Sequence, residues 1–198
     1  MDTNVEPINV IPAQLLYDIP EVQGILMRLA HEIYAKLHQE QAIAIVGILR
    51  RGAPLADILY HELSKSIPSR KIIRIDIKAK RYSDDLSILY PNTLLTVDPL
   101  LESCNLTDYH LLVVDDVLYT GRSMLKVVEF LQSKNPKAIS TVCLVDRLNP
   151  QVPIVAQFCG IKLQLNDQMI VECHIPPYES NLQIRLATKA GVIELSKS

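Results

Sequence analysis

Four short stretches of this chain are apolar at nearly every position: Ala42-Ile43-Ala44-Ile45-Val46-Gly47-Ile48, Ile72-Ile73-Arg74-Ile75, Leu111-Leu112-Val113-Val114, and residues 139–145. A strand with one face in water alternates apolar and polar residues, whereas a run that is apolar throughout needs cover on both faces. That requirement selects a parallel sheet sandwiched between helices. Three segments can supply the helices. Between residues 20 and 38, Val22, Ile25, Leu26, Leu29, Ile33 and Leu37 recur at the 3-and-4 spacing of an amphipathic helix, and further helices are expected over about 54–65 and 121–133. The resulting order is strand, helix, strand, long loop, strand, helix, strand, that of an open α/β sheet. Such sheets bind ligands beyond the carboxyl ends of their strands. Chemistry is therefore expected just after Ile48, Ile77, Val114 and Val145.

Composition narrows the setting. A chain of 198 residues, 48% hydrophobic and 21% charged, is suited to one domain with a large core rather than to disorder. No apolar run reaches the roughly 18 residues of a membrane span, and residues 1–7 carry two acids and no base, so neither a membrane anchor nor a signal peptide is expected. A cytoplasmic protein is expected. The net charge of −2 argues against binding nucleic acid through bulk electrostatics. Cys104, Cys143, Cys159 and Cys173 show neither zinc-ligand spacing nor a disulfide pattern, and are expected to be buried, reduced small hydrophobes.

Residues 79–109 form a connection far longer than the usual handful of residues, and connections of this length tend to act as lids. It opens with Lys80, Arg81 and Tyr82, preceded by Lys78. After Asn149 the chain becomes proline-punctuated, with short strands expected over 169–175 and 182–186. The expected organisation is an N-terminal extension over 1–19, a core over 20–148 with a flexible loop at about 79–109, and a hood-like appendage over 149–198.

The most informative stretch is Leu111-Leu112-Val113-Val114-Asp115-Asp116-Val117-Leu118-Tyr119-Thr120-Gly121-Arg122-Ser123. An apolar strand delivers two carboxylates, and a Thr-Gly-Arg-Ser turn then opens a helix. Free backbone N–H groups, the Thr120 and Ser123 hydroxyls and the positive end of the helix dipole suit a phosphate. The neighbouring carboxylates would repel that phosphate, but they suit sugar hydroxyls, so the implied ligand is a phosphorylated sugar. Competing readings are an ordinary helix cap and an acidic pocket of the receiver type. Arg51-Gly52, after the first apolar run, adds a guanidinium beside unhindered backbone.

The stretch from Val113 to Ser123 resembles the phosphoribosyl-pyrophosphate (PRPP) signature of type I phosphoribosyltransferases. Its wording, Asp-Asp-Val-Leu-Tyr-Thr-Gly-Arg, is closest to the bifunctional pyrimidine-operon attenuator/uracil phosphoribosyltransferases. Gly47-Ile48-Leu49-Arg50-Arg51-Gly52 stands where that family has its pyrophosphate loop, residues 76–86 resemble the start of its flexible loop, and Leu144-Val145-Asp146-Arg147 the start of its base-binding region. The resemblance implies a type I phosphoribosyltransferase-like open parallel sheet flanked by helices. It also implies transfer of 5-phosphoribose from PRPP to a nucleobase with release of pyrophosphate.

The roles it implies are these. Asp115, Asp116 and Arg51 carry catalysis, while Arg51, Gly52, Asp115, Asp116, Thr120, Gly121, Arg122 and Ser123 bind PRPP. Lys80, Arg81 and Tyr82 belong to the closing loop, and Val117, Tyr119, Val145 and Arg147 meet the base. Mg²⁺ would arrive with PRPP, held at most through water by Asp115 or Asp116, with no dedicated metal cage. A homo-oligomer, dimer or higher, is implied.

Purine-type relatives commonly have a carboxylate where this chain has Tyr119. A phenol with an ordinary pKa of about 10 cannot take that role near neutrality, which favours a pyrimidine. Two departures leave the base open: Leu148-Asn149 replaces the family's Gly-His, and Gly160-Ile161-Lys162-Leu163 stands near its Gly-Lys-Asn. Two other readings compete. Lys65, Arg70, Lys71, Arg74, Lys78, Lys80 and Arg81 concentrate positive charge in one segment, as an RNA-binding attenuation regulator would need. Alternatively, the pocket serves as a PRPP sensor with weak turnover.

Overall fold

The computed structural model describes residues 13–40, 42–80, 94–97, 101 and 104–188. Nine strands and three helices occur among the described residues: β1 (Gln14–Tyr17), α1 (Ile19–Leu37), β2 (Ala42–Leu49), α2 (Gly52–Ser66), β3 (Lys71–Lys80), β4 (Leu94–Val97), β5 (His110–Leu118), α3 (Arg122–Gln132), β6 (Ala138–Asp146), β7 (Phe158–Lys162), β8 (Met169–His174) and β9 (Gln183–Thr188). Six strands form the main sheet in the order β4-β3-β2-β5-β6-β7, with only the β3–β4 pair antiparallel. A second, antiparallel sheet has the order β1-β9-β8.

Three of the apolar runs form largely buried strands, as their patterning implies, whereas Ile72, Ile73 and Ile75 of β3 are only partly buried. In β2, Ile43 and Ile45 pack into a core with α1 and α2, while Ala42, Ala44, Val46 and Ile48 pack into a second core with α3. In β5, Leu112 and Val114 enter the first core, and Leu111 and Val113 the second. Helix α1 starts in a capping box, in which Asp18 accepts from the Glu21 N–H at 3.1 Å and Glu21 accepts from the Asp18 N–H at 2.8 Å. It buries Val22, Leu26, Leu29, Ala30, Ile33 and Leu37. Burying each of its large aliphatic side chains contributes about 1.5–3 kcal/mol. The expected helix face is therefore present, except that Ile25 is only partly buried.

Four expectations need correcting. Strand β5 does not stop at Val114 but runs to Leu118, because β6 goes on pairing with it through Leu118↔Asp146. The two carboxylates thus stand within the second half of the strand, with Val117 and Leu118 still paired beyond them. The connection over 79–109 is not loop throughout: β3 continues to Lys80, β4 pairs back onto it, and Leu101, Leu106 and Tyr109 are buried in the second core. The region 149–198 is not hood throughout, since β7 belongs to the main sheet. The hood-like unit is instead β8 and β9, completed by β1 from the segment expected to be an extension. Val171, Cys173, Ile175 and Ile184 of this unit join the first core, which fixes it to the body of the molecule.

All four cysteines carry free thiols. No helix among the described residues is long and apolar enough to cross a membrane.

Candidate active site

The strand order dictates where a ligand can sit. From β2 the chain moves to β3 on one side, whereas β5, β6 and β7 build outward on the other, so the winding reverses between β2 and β5. A crevice opens beyond the carboxyl ends of two such strands. The pairing of β2 with β5 ends at Gly47↔Val114, and β5 then continues with β6 alone. Asp115 and Asp116 follow immediately, on the edge that β2 no longer covers.

The loop after β2 meets this edge. Gly52 packs so tightly on β5 that an added Cβ would lie 2.5 Å from the Val114 carbonyl oxygen and 3.0 Å from the Asp115 Cα. Only glycine permits that approach. The sequence reading assigned Gly52 to phosphate access, and the structure adds this steric reason. Arg74 fastens the start of α2, donating to the Ala53 carbonyl oxygen at 2.7 Å and pairing with Asp57 and Asp76.

Asp115 Oδ1 accepts from the Asp116 N–H at 2.9 Å. Burial pushes the Asp115 carboxyl well above the usual range, and the adjacent Asp116 adds to the rise. Burial also raises Asp116, against the opposing pull of the Arg51 charge. A desolvated carboxyl pair of this kind favours ligands that supply hydroxyl donors or positive charge. Arg51 is half-buried; burial alone would lower its pKa, but hydrogen bonding to Glu179 and the Asp116 charge outweigh it and raise the pKa.

Two helices open onto the crevice, and neither is capped by a side chain: the N-cap of α2 is Arg51 and that of α3 is Gly121. In α3 the N–H groups of Arg122, Ser123 and Met124 are thereby open to an anion, whereas α2 offers only that of Gly52, since the Ala53 N–H donates to the Arg50 carbonyl at 3.3 Å and Pro54 has none. Helix α1, away from the crevice, has its capping box instead. Gly121 adopts φ 76° and an added Cβ would fall 2.2 Å from Ile154 Cγ2, so two independent constraints require glycine there. The Thr120 carbonyl accepts from the Gln151 N–H at 2.9 Å, which holds the turn against the 151–154 segment. Thr120 and Ser123 are half-buried, while Arg122 is exposed with its Nη2 3.5 Å from Gln151 Oε1.

Among the residues expected near a base, Arg147 is buried and its guanidinium stacks 4.2 Å from the centre of the Tyr119 ring. Its Nη2 donates to the Asn166 carbonyl at 3.0 Å, and its Nε has no partner. Asp146 is buried beside it and accepts from the Leu148 N–H, so the two residues are not a solvated surface pair. Val117 is partly buried against the first core. Val145 is fully buried within that core, so only its backbone can face a ligand. Lys80 ends β3, but its side chain, Arg81 and Tyr82 lie outside the described residues. The basic segment is dispersed: Lys65 pairs with Glu62, Arg74 with Asp57 and Asp76, and Lys71 sits over the Tyr109 ring.

Two residues that the sequence reading missed approach the same loop. Glu179 pairs with Arg51, and the Tyr178 ring lies 5.0 Å from the Arg50 guanidinium carbon. Pro176-Pro177 marked a turn, and the acid just beyond it was the available signal.

Comparison with known proteins agrees with this geometry. Residues 13–177 match the model of the phosphoribosyl transferase domain family. The chain is 27% identical over 175 residues to the bifunctional protein PyrR of Oceanobacillus iheyensis, covering 88% of this chain and 97% of that protein. It is 31% identical over 162 residues to the bifunctional protein PyrR of Clostridium acetobutylicum, covering 81% and 89%. Its fold is similar to that of hypoxanthine phosphoribosyltransferase from Trypanosoma cruzi, with a TM-score of 0.73, 15% identity, and coverage of 97% of this chain and 98% of that one.

Proposed function

The chain belongs to the phosphoribosyl transferase domain family, and from that premise we propose that it transfers 5-phosphoribose from PRPP to a pyrimidine base such as uracil, releasing pyrophosphate. The observation that carries this reading is the uncapped N-terminus of α3 following Asp115 and Asp116, with Arg51 and Gly52 packed against the same strand at the reversal of strand order. The first turn of α3, with Thr120 and Ser123, suits the 5′-phosphate, and Arg51 at the start of α2 suits the pyrophosphate. Asp115 and Asp116 between them accept from the ribose hydroxyls. As the C1–O bond to pyrophosphate breaks, positive charge grows on the sugar, and the two carboxylates stabilise it from a desolvated position. A ring nitrogen of the base attacks C1 from the opposite side, so configuration inverts there, and the proton it loses leaves with the pyrophosphate.

The raised carboxyl pair, facing a single arginine charge, fits a hard cation with oxygen ligands. Mg²⁺ bound with PRPP would neutralise charge on the pyrophosphate, with Asp115 or Asp116 reached through water. For the base, Tyr119, stacked on the buried Arg147 guanidinium, stands where purine-type relatives have a carboxylate. The resemblance of the Asp-Asp-Val-Leu-Tyr-Thr-Gly-Arg stretch to the pyrimidine-operon attenuator/uracil phosphoribosyltransferases supports a pyrimidine-linked role. Subcellular placement in the cytoplasm and assembly as a homo-oligomer belong to the same reading.

A panel of uracil, orotate, hypoxanthine, guanine, adenine and xanthine, each with PRPP and Mg²⁺, tests it by chromatography of the products. The expected result is uridine 5′-monophosphate with equimolar pyrophosphate. Formation of a purine nucleotide alone would overturn the base assignment, and no nucleotide from any base would overturn the activity.

A further inference from the structure

We propose that Glu179 is a positioning residue for PRPP: its carboxylate, mounted on the β8–β9 connection, holds the Arg51 guanidinium in the orientation that receives the pyrophosphate. The proposal rests on the reading of Arg51 given above. Both carboxylate oxygens are used. Oε1 accepts from Arg51 Nε at 3.0 Å and Nη2 at 2.5 Å, and Oε2 accepts from the Ile175 N–H at 2.9 Å. One oxygen thus anchors the side chain to its own turn, while the other grips the arginine.

The mount is rigid. Ile175 is fully buried in the core shared with α1 and α2, and the Tyr178 N–H donates to its carbonyl at 3.2 Å. Tyr178 adds a second contact between the same two loops through its ring and Arg50. A carboxylate fixed in this way positions its partner rather than acting as a mobile lid. Although burial alone would raise Glu179, the hydrogen bonds from Arg51 and Ile175 outweigh it and keep its pKa below the usual value, so the grip persists at neutral pH.

Arg51 needs such a partner because Asp116 also attracts it. Released from Glu179, the guanidinium would be drawn toward the carboxylate assigned to the ribose and would occupy it. Held by its Nε edge, it keeps its remaining N–H groups for an incoming phosphate.

The test is calorimetric titration of wild type, Glu179→Ala, Glu179→Gln, Arg51→Ala and the Arg51→Ala/Glu179→Ala double variant with Mg²⁺–PRPP and with ribose 5-phosphate, which lacks the pyrophosphate. Glu179→Ala is expected to weaken PRPP binding by about 10–100-fold and to leave ribose 5-phosphate unchanged. In the Arg51→Ala background it is expected to cause no further loss, because it acts through that arginine. Unchanged or tighter PRPP binding, equal loss for ribose 5-phosphate, or additive losses would each overturn the proposal. If Glu179→Ala does not fold, Glu179→Gln, which preserves the side-chain volume, carries the same comparison. Wild type failing to bind PRPP would remove the parent reading too, whereas normal wild-type binding with an indifferent Glu179→Ala removes only this one.

Discussion

Replacing Asp115 and Asp116 together by asparagine is expected to cut nucleotide formation by at least about 100-fold while making the ligand-free protein more stable. The two effects have one cause. Burial raises both carboxyls, so ionising the pair costs the folded protein more than the unfolded chain. Asparagine keeps the shape and removes that penalty, and the Tm should rise by about 2–4 °C for each kcal/mol recovered. Because the folded-state pKa values are raised, the folded form binds protons more readily than the unfolded chain. The penalty is complete above the raised values, fades as pH falls through them, and vanishes below the unfolded value of about 4. The thermal advantage of the variant should therefore be largest above the raised values, shrink as pH falls through them, and disappear toward pH 4. Thermal melts at several pH values, alongside turnover, check both halves. A variant that is inactive and also less stable would mean that the carboxylates serve the fold rather than the sugar.

The second large effect is expected at Gly121. Gly121→Val should abolish measurable PRPP binding, because a side chain there must adopt φ 76° and clash with Ile154 Cγ2. The left-handed conformation costs about 1–2 kcal/mol, and relieving the clash would shift the first turn of α3 away from the phosphate. Thr120→Val separates geometry from chemistry: it retains the turn, removes one hydroxyl, and should weaken PRPP binding by about 10-fold, the value of one hydrogen bond to a charged group. Calorimetry on both variants measures the difference. Equal binding by Gly121→Val would remove the phosphate from this turn.

These effects could be argued because much of the site is local in the chain. Asp115, Asp116, Thr120 and Gly121 lie within one strand-turn-helix unit, and a buried strand feeding a hydroxyl-glycine turn leaves few other geometries. The parallel sheet was equally legible, since residues such as Ile43, Ile45, Leu112 and Val114 need cover that only a helical layer supplies. What escaped depends on pairing between distant segments. That β5 continues past Val114 is decided by β6, that Gln14–Tyr17 is a strand is decided by β9, and the burial of Arg147 follows from stacking on Tyr119. Glu179 was hidden for the same reason: it is 128 residues from Arg51, and a single acid after two prolines has no periodicity to mark it.

The central claim is that the crevice between β2 and β5 is a PRPP site, and titration of the wild-type protein with PRPP in the presence of Mg²⁺ tests it most directly. The account predicts saturable heat at one PRPP per chain, lost in Gly121→Val and weakened in Thr120→Val. Absence of heat in the wild type, or heat that these variants leave unchanged, would contradict it.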